Sequence, residues 1–384
     1  MNLDMLNREQ RQAAETLEGP VLILAGAGTG KTRALTYRVA NLIDHGVHAW
    51  NILALTFTNK AAREMKERIS NLVGEEQAND AWISTFHSSC ARILRRDIEK
   101  IGYSRSFVIY DDDDQSGVLK EILKRLNIDD KMLTPREIKA KISDAKNRLL
   151  NPDEWFQQSE KDFRCQMLHD VFVEYESRMK ALNALDFDDL LVKTLELLCD
   201  HPPVLQSYQE RFHYVLVDEY QDTNYAQYML VKLLTAESRN ICVVGDDDQS
   251  IYGWRGADVH NILDFRKDYP DATVIKLEQN YRSTGNILNA ANGVIVNNEQ
   301  REDKALWTNS DAGEKIQLYC AGDEREEAAW VADRIRQLSR QNVPYGNIAI
   351  FYRTNAQSRV LEEMLMRSGV PYKVFGGQKF YERR

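Results

Sequence analysis

VLILAGAGTGKT, at residues 21–32, determines what kind of protein this chain can be. The apolar run at its start is typical of a buried strand, and the glycines after it let the backbone curl so that its N–H groups face an anion. Residues 25–32 match the Walker A pattern, except that Ala25 replaces its first glycine. The pattern predicts a strand, a phosphate-binding loop and a helix whose positive end faces the same phosphate.

Two side chains of this loop have predictable roles. We expect Lys31 to reach the β- and γ-phosphates and Thr32 to hold Mg²⁺. A chance glycine-rich turn is the alternative, but the amphipathic helix predicted from about Lys31 favours nucleotide binding. The residues predicted to surround the nucleotide phosphates are Ala25, Gly26, Ala27, Gly28, Thr29, Gly30, Lys31 and Thr32.

The regions on either side of the loop divide the chain by pattern. Buried strands are predicted at residues 21–24, 52–57, 214–217 and 241–244, which indicates an α/β fold with a parallel sheet. Helix-start signals such as Thr134-Pro135 and Asn151-Pro152 replace strand patterns between about 89 and 211, and predict a helical insertion. Beyond 278, strands at 316–319, 348–352 and 372–375 with a helix at 323–340 predict the start of a second α/β domain.

An acidic pair ends the strand predicted at residues 214–217. In a P-loop enzyme the first acid, Asp218, holds Mg²⁺, and the second, Glu219, can take a proton from the attacking water. An ordinary charged exit from a strand is the alternative reading of these two residues. The nearby phosphate-binding loop favours the catalytic one.

The strand at residues 241–244 runs into the sequence GDDDQ at 245–249. In a parallel sheet its tip should lie next to the tip that carries Asp218. Gln249 is then placed to contact the γ-phosphate, since a neutral amide detects phosphate without competing for the metal. A polar loop residue with no such role is the alternative.

Composition limits the remaining classes of protein. The chain has 384 residues, which predicts two or three domains. Its formal net charge of −9 does not support bulk electrostatic binding of nucleic acid, so any DNA must lie in a local groove. Five scattered cysteines predict neither disulfides nor zinc. We find no signal peptide and no apolar run of the roughly 20 residues a membrane span needs, and we expect a cytoplasmic protein without membrane contact.

Further motifs follow the same order along the chain as those of a known family. They are LNREQ at 6–10, TFTNKAA at 56–62, TFHS at 85–88, VDEYQDT at 217–223, GDDDQSIYGWRGA at 245–257 and LEQNYRST at 277–284. Together with the phosphate-binding loop, they resemble the UvrD/Rep/PcrA group of superfamily 1 DNA helicases. The resemblance covers essentially the whole chain.

The resemblance implies further roles at the nucleotide. Gln10 would read the adenine edge, Tyr281 would stack on the adenine, and Arg33 would add a nucleotide contact. Arg282 would contact the γ-phosphate, which suits phosphoryl transfer because catalysis there rests on positioning and charge stabilisation. The catalytic set that we predict is Lys31, Glu219, Gln249 and Arg282.

The resemblance also implies a path for single-stranded DNA. Trp254 would stack against a base, a contact that tolerates any sequence. Gln221 and Arg255 would couple the nucleotide site to the DNA site. The residues expected along the DNA are Phe57, Thr58, Asn59, His87, Tyr252 and Trp254.

As a whole, the resemblance implies an ATP-dependent DNA helicase that moves 3′-to-5′ on single strands and unwinds duplexes in DNA repair or replication. Its cofactors would be ATP and Mg²⁺. Its partners would be single-stranded DNA, junctions of single and double strands, and repair or replication proteins. The sequence indicates no oligomeric state.

The resemblance also divides the chain into domains with RecA-like folds. A motor domain 1A would comprise residues 1–88 and 212–278, a helical domain 1B residues 89–211, and the first part of a second motor domain, 2A, residues 279–384. The resemblance implies that family motifs V and VI, the rest of 2A and all or nearly all of domain 2B would come after residue 384. We therefore expect a truncated fragment that binds nucleotide better than it hydrolyses it.

Two other classes of protein stay open at this point. One is a nucleotide-gated module that binds single-stranded DNA without productive unwinding, and weak ATP turnover with retained DNA binding would favour it. The other is a P-loop enzyme that acts on a small molecule. It predicts no DNA dependence and no effect of Trp254→Ala on ATP chemistry.

Overall fold

The computed structural model describes residues 1–129, 131–253, 256–298 and 301–375. The chain forms two compact units, Met1–Glu314 and Lys315–Arg384. The predicted α/β fold with a parallel sheet is confirmed in the first unit. No helix in the described ranges is both long and apolar enough to cross a membrane.

The described residues of the first unit form eight strands. They are β1 (Val21–Ala25), β2 (Ile52–Thr56), β3 (Trp82–Thr85), β4 (Val108–Ile109), β5 (Ala184–Leu185), β6 (Tyr214–Val217), β7 (Ile241–Gly245) and β8 (Thr273–Leu277). Six of them form one sheet in the order β3-β2-β6-β7-β1-β8, and every pairing in it is parallel. The remaining two, β4 and β5, form a small parallel pair among the helices.

Helices make up most of the rest of the described chain. They are α1 (Arg8–Glu15), α2 (Lys31–Asp44), α3 (Asn59–Val73), α4 (Glu75–Asp80), α5 (Phe86–Asp97), α6 (Asp112–Arg125), α7 (Pro135–Asn147), α8 (Pro152–Gln158), α9 (Phe163–Ala181), α10 (Phe187–Asp200), α11 (Pro202–Gln209), α12 (Tyr225–Leu234), α13 (His260–Leu263), α14 (Phe265–Asp268), α15 (Gly285–Ile295), α16 (Glu324–Arg340) and α17 (Ser358–Arg367).

The sheet separates two apolar cores. Successive residues of a strand point to opposite faces, so Leu22 and Leu24 of β1 pack into one core while Val21, Ile23 and Ala25 pack into the other. Every residue of β1 is buried. Burial on both faces explains why the strand is an unbroken apolar run rather than an alternating one.

The strand order brings the predicted motifs to one edge of the sheet. β1 lies between β7 and β8, and β6 lies beside β7. Because the strands are parallel, the residues that follow β1, β6 and β7 all leave the sheet at its carboxyl edge. The expectation that the tips of β6 and β7 are neighbours is confirmed.

The region predicted as a helical insertion contains α6 to α11. The Thr134 hydroxyl accepts from the N–H of Glu137 at 3.2 Å and starts α7, and Asn151 starts α8 with a reciprocal capping box. Both starts are therefore where the sequence signals predict them. A separate apolar core forms here around residues such as Leu119 and Phe172.

The second unit contains α16 and α17 in its described part. The helix predicted at 323–340 is confirmed as α16, with Asp323 as its cap. Three strand predictions, at 316–319, 348–352 and 372–375, are wrong for this structure. A strand needs backbone hydrogen bonds to a neighbour, and none joins these segments to one another within residues 315–375. Apolar packing remains, since Ile348 and Ile350 lie against the core of this unit.

Candidate nucleotide and nucleic-acid site

The loop between β1 and α2 curls through two glycines in the left-handed backbone region. The φ angle is +71° at Gly28 and +84° at Gly30, values that residues with side chains rarely adopt. The hydroxyl of buried Thr29 donates to the carbonyl of Gly26 at 2.8 Å and closes the curl. α2 begins at Lys31, so the positive end of its dipole faces the loop.

Three successive carbonyl groups of the loop accept hydrogen bonds from outside it. The bonds run from Asn280 Nδ2 to Ala27 O at 2.6 Å, from the N–H of Tyr281 to Gly28 O at 2.9 Å, and from Gln10 Nε2 to Thr29 O at 2.8 Å. These bonds orient the three carbonyl groups toward the residues that surround the loop. The N–H groups of the loop are therefore not used in these contacts.

The N–H groups of the loop fit a phosphate. In residues 1–129 and the other described ranges, no hydrogen-bond partner is found for the N–H groups of Ala27, Gly28, Gly30 and Lys31. Unpaired N–H donors at the start of a helix, beside a lysine, are the groups that bind phosphate oxygens. The loop can therefore hold the phosphates of a nucleotide.

The acidic pair lies directly across from the loop lysine. Lys31 Nζ donates to Glu219 Oε2 at 2.7 Å. Glu219 has a positive φ of 52°, which is uncommon for a residue with a side chain and is often found at functional sites. Burial, and next the charge of Glu219, raises the pKa of Asp218 to about 6. The pair therefore combines a carboxyl that gives up its proton near pH 6 with a carboxylate in an ion pair.

The donors available to Mg²⁺ are the hydroxyl of Thr32 and the carboxylate of Asp218. Thr32 is the second residue of α2, and Asp218 follows β6 at the same edge of the sheet. Oxygen donors of these two kinds suit Mg²⁺, which binds few protein ligands together with phosphate oxygens. The residues present fit the metal that the sequence predicts.

Gln221 joins the acidic pair to the next motif. Its Nε2 donates to Glu219 Oε2 at 2.9 Å, and its Oε1 accepts from the N–H of Asp246 at 3.0 Å. The side chain is buried, and a Cβ on Gly245 would lie only 2.5 Å from its Oε1. Gln221 thus connects the ends of β6 and β7. Its role in coupling stays a prediction.

The predicted sensor lies in the turn after β7. Gln249 Nε2 donates to Asp246 Oδ2, and its backbone N–H donates to Asp246 O at 2.9 Å. Tyr252, predicted on the DNA path, is 40% exposed. Trp254 and Arg255, predicted to stack on DNA and to couple the two sites, lie outside the described residues.

Asn280 holds the next motif against the phosphate-binding loop. Its Oδ1 accepts from the N–H groups of Arg282 at 2.9 Å and Ser283 at 2.8 Å, while its Nδ2 reaches the loop. A Cβ on Gly28 would lie 2.6 Å from the Cβ of Arg282. Arg282 is exposed, and no acidic partner for its guanidinium is found in the described chain. It is therefore free to contact an anionic ligand at the loop.

Tyr281 presents an exposed ring beside α1. The side chain is 54% exposed, and its hydroxyl donates to Gln279 Oε1 at 2.8 Å and accepts from Asn7 Nδ2 at 2.9 Å. These bonds fix the ring while leaving much of it uncovered. That arrangement suits stacking on a planar base.

Gln10 fastens α1 to the phosphate-binding loop. Its Oε1 accepts from the N–H of Asn7 at 3.3 Å, and its Nε2 donates to the carbonyl of Thr29. Both ends of its amide are therefore bonded to protein backbone. The role predicted for Gln10 at the adenine edge stays a prediction. Arg33, the other predicted contact, donates to the carbonyl of Met5 at 2.8 Å.

The residues predicted on the DNA path also lie at the carboxyl edge of the sheet. Phe57 follows β2 and packs edge-on against Phe86, while Thr58 caps α3 by accepting from the N–H of Ala61 at 3.1 Å. Thr58 and the neighbouring Asn59 are exposed.

His87 lies in the first turn of α5, at the same edge. Its ring contacts Phe187, which is 54% exposed, at a centroid distance of 5.8 Å. Burial lowers the pKa of His87, which disfavours the charged imidazolium in these surroundings. A contact from this residue to DNA would be a hydrogen bond or a ring contact.

Sequence reasoning missed two residues that organise this site. Asn280 stands within the motif LEQNYRST, but only the structure shows that its side chain reaches the phosphate-binding loop. Lys304, which binds the aspartates of the GDDDQ sequence, carries no motif signal. The sequence offered one signal for Asn280, which is its position directly before Tyr281 and Arg282. It offered no signal for Lys304.

Two family models together cover most of the chain. Residues 6–270 match the UvrD/REP helicase N-terminal domain, and residues 275–384 match the UvrD-like helicase C-terminal domain.

Individual relatives match over the full chain. A Staphylococcus aureus protein named ATP-dependent DNA helicase PcrA is 55% identical over 383 residues, which are 100% of this chain and 52% of the relative. A protein of the same name from Staphylococcus epidermidis is 55% identical over 380 residues, which are 99% of this chain and 52% of the relative. The chain spans about half the length of the curated relatives it matches.

Proposed function

This chain belongs to the UvrD/REP helicase family, and from that premise we propose that it is the ATP-binding part of an ATP-dependent DNA helicase motor. The observation that carries the proposal is a continuous set of hydrogen bonds. It runs from Lys31 through Glu219 and Gln221 to Asp246, and so links the phosphate-binding loop to the motif that leads to the predicted DNA path. A chain of contacts of this kind is what coupling ATP hydrolysis to DNA movement requires.

The proposed reaction is attack of water on the γ-phosphate of ATP, which forms a new P–O bond, breaks the bond to the β-phosphate oxygen and releases ADP and phosphate. The unpaired N–H groups of the loop and Lys31 bind the phosphates, and Gln249 detects the terminal one. Glu219 orients the water and takes its proton. Arg282 stabilises the charge that develops on the transferred group. Mg²⁺, held through Thr32 and Asp218, neutralises phosphate charge when bound.

Tyr281 and Gln10 provide the proposed adenine end of the site. The exposed ring of Tyr281 is the stacking surface, and its bonds to Gln279 and Asn7 hold it beside α1. Gln10 connects that helix to the loop. Base recognition and phosphate binding would then be mechanically linked through α1.

Single-stranded DNA is the proposed nucleic-acid substrate, with movement 3′-to-5′ and action at junctions of single and double strands. Coupling is assigned to Gln221 and Arg255. We further propose a role in DNA repair or replication, with proteins of those processes as partners, and a cytoplasmic location. The side chains proposed to line the DNA path are Phe57, Thr58, Asn59, His87, Tyr252 and Trp254.

The domain assignment is part of the same proposal. Domain 1A comprises residues 1–88 and 212–278, domain 1B residues 89–211, and domain 2A begins at 279. The apolar core that α6 to α9 form among themselves supports 1B as a separate body. The helices α10 and α11 pack instead into the core on one face of the large sheet and join this body to 1A. The bonds from Asn280 and Tyr281 to the phosphate-binding loop support a nucleotide site shared by 1A and the first residues of 2A.

A nucleotide-gated DNA-binding module without productive unwinding is the second candidate. One observation favours it: the Glu219 carboxylate is bound by both Lys31 and Gln221. A general base held in this way must be released before it can accept a proton from water. Binding of nucleotide and DNA would then persist while turnover stays slow.

Binding of a labelled oligo-dT, measured by fluorescence anisotropy across a salt series, tests the DNA part of the proposal. We expect affinity to fall as salt rises, because phosphate contacts release counterions. Trp254→Ala should weaken binding about tenfold, the effect of losing one stacked base. Trp50→Ala is the matched control, since this half-exposed tryptophan lies two residues before the start of β2, at the opposite edge of the sheet. Absence of binding at low salt, or equal affinities for the two variants, would contradict the proposed DNA path.

A further inference from the structure

Three consecutive aspartates surround one buried ammonium group next to the proposed sensor. Lys304 follows α15 in the chain, and its side chain is 2% exposed. Its Nζ lies 2.8 Å from Asp246 Oδ1 and 2.9 Å from Asp248 Oδ2, and it also contacts Asp247 Oδ1. Lys304 belongs to none of the sequence motifs, yet its ammonium group is the cation at the centre of the GDDDQ turn.

Further contacts hold the surrounding segment in place. Arg301 Nη2 lies 3.0 Å from Asp248 Oδ2, and the N–H of Glu302 donates to Asp247 Oδ2 at 2.7 Å. Asn298 Nδ2 donates to Asp248 Oδ1 at 3.1 Å. The chain around Lys304 thus wraps the turn that ends β7, and the turn cannot shift without breaking several of these bonds.

Electrostatics explains why the turn needs this lysine. The aspartate oxygens lie within 4.8 Å of one another, and burial prevents water from screening their repulsion. Burial by itself disfavours the charge on Lys304, but the three carboxylates outweigh it and raise the pKa of the ammonium. Without Lys304, Arg301 is the remaining cation paired with these acids in the described chain. Buried carboxylates left without a partner would separate or take up protons.

Asp246 transmits this arrangement to the nucleotide site. One of its carboxylate oxygens binds Lys304 and the other accepts from Gln249 Nε2. Its backbone N–H donates to Gln221, which in turn binds Glu219. A displacement of Asp246 therefore moves the sensor amide and the support of the proposed general base together.

We propose that Lys304 is a positioning residue for γ-phosphate recognition: by neutralising the three aspartates it holds Asp246, and through it Gln249, where the sensor amide meets the terminal phosphate. The inference deepens the proposed function and rests on it. Lys304 itself does not touch the nucleotide. Its loss should therefore impair recognition of the γ-phosphate and leave binding of the rest of the nucleotide intact.

The test compares dissociation constants of Mg-ADP and Mg-ATPγS, by competition against a fluorescent ADP analogue, on the whole chain. Wild type should bind ATPγS more tightly than ADP. Lys304→Met should reduce that preference about tenfold, the effect of losing one charge-assisted hydrogen bond, with ADP affinity unchanged. Lys304→Arg should restore it. Lys267→Met is the control, since this lysine is 77% exposed and its ion pair among the described residues is with the neighbouring Asp264.

The possible results separate the two hypotheses. A merely structural role for Lys304 predicts equal losses for both nucleotides, and that outcome overturns the inference, as does an unchanged preference. If Lys304→Met does not fold, the double variant Asp247→Asn/Lys304→Met replaces it, because that variant has one carboxylate fewer to repel the others. The same comparison of ADP and ATPγS affinities then tests the inference. Wild type that binds neither nucleotide would instead overturn the proposed ATP site, and the inference with it. Lys31→Ala, which should abolish binding of both nucleotides, identifies the site that is being measured.

Discussion

The carboxyl group of Asp218 is buried beside Glu219 at the end of β6, and these surroundings raise its pKa to about 6. A carboxyl whose pKa is higher in the folded than in the unfolded chain stabilises the fold at low pH, and loses that contribution as pH rises through about 6. At neutral pH the ionised carboxylate of Asp218 therefore lowers the free energy of unfolding. Its proposed use in binding Mg²⁺ explains why an acid is present there.

Asp218→Asn should therefore stabilise the protein while removing metal binding. At pH 8 we expect the free energy of unfolding to rise by about 3 kcal/mol, since each unit of pKa shift corresponds to about 1.4 kcal/mol. The gain should vanish near pH 4, where the wild-type carboxyl is protonated. Thermal unfolding at the two pH values measures both effects. Asp271→Asn, at a 61% exposed side chain, is the control, and an equal gain at both pH values would contradict the assignment.

Single residues of the site differ in how well sequence predicts them. The placement of Lys31 and Glu219 at the carboxyl edge of the sheet was predictable, because each belongs to a local motif that follows a buried strand. Asn280 and Lys304 were not, because their partners Ala27 and Asp246 are distant in the chain. Such contacts depend on the tertiary fold, which no local pattern encodes.

Among the helices, the end of α1 is bonded to α2 by a fully buried arginine, beside a hydrogen bond from Asn41 Nδ2 to the carbonyl of Ala14 at 3.0 Å. Arg38, in α2, donates from Nη1 to the carbonyl of Ala13 at 2.9 Å and from Nη2 to that of Leu17 at 3.0 Å, and also contacts Thr16 O. These carbonyls belong to the last turn of α1 and the residues after it, and have no other partner in that helix. The arginine therefore serves as a cap supplied by a neighbouring helix.

Arg38→Met should detach the end of α1. We expect a loss of about 3 kcal/mol in the free energy of unfolding, because the methionine fills the space but leaves one buried and two partly buried carbonyls unsatisfied. Chemical denaturation measures the change. Arg178→Met, at a 46% exposed arginine of α9, should change stability little. Equal effects of the two substitutions would show that the buried cap is not needed.

Elements were predictable where burial leaves a simple pattern. β1, β2, β6 and β7 are buried on both faces, and their apolar runs were recognised within one or two residues at each end. The edge strands β3 and β8 mix polar with apolar residues and are only partly buried, and were not predicted. The apolar runs near Ile316, Ile348 and Tyr372 resemble strands equally well, but a strand also needs a paired neighbour, which a local pattern cannot reveal.

At the scale of the whole molecule, the strand order turns separate motifs into one site. Motifs up to about 250 residues apart meet at the carboxyl edge of the sheet because β1 lies between β7 and β8. The fold class and this edge could be inferred from a parallel sheet alone. The hydrogen-bonded path from Lys31 to Asp246 could not, because it depends on side-chain conformations.

Single-turnover hydrolysis of ATP, with protein in excess and with or without oligo-dT, tests the central claim most directly. We predict that wild type hydrolyses ATP, that oligo-dT accelerates the reaction, and that Glu219→Gln slows it by about a hundredfold or more, the contribution typical of a general base. ATP binding by this variant should persist, because Lys31 and the loop remain. Hydrolysis by Glu219→Gln at the wild-type rate would contradict the account, since the carboxylate next to Lys31 would then have no part in the chemistry.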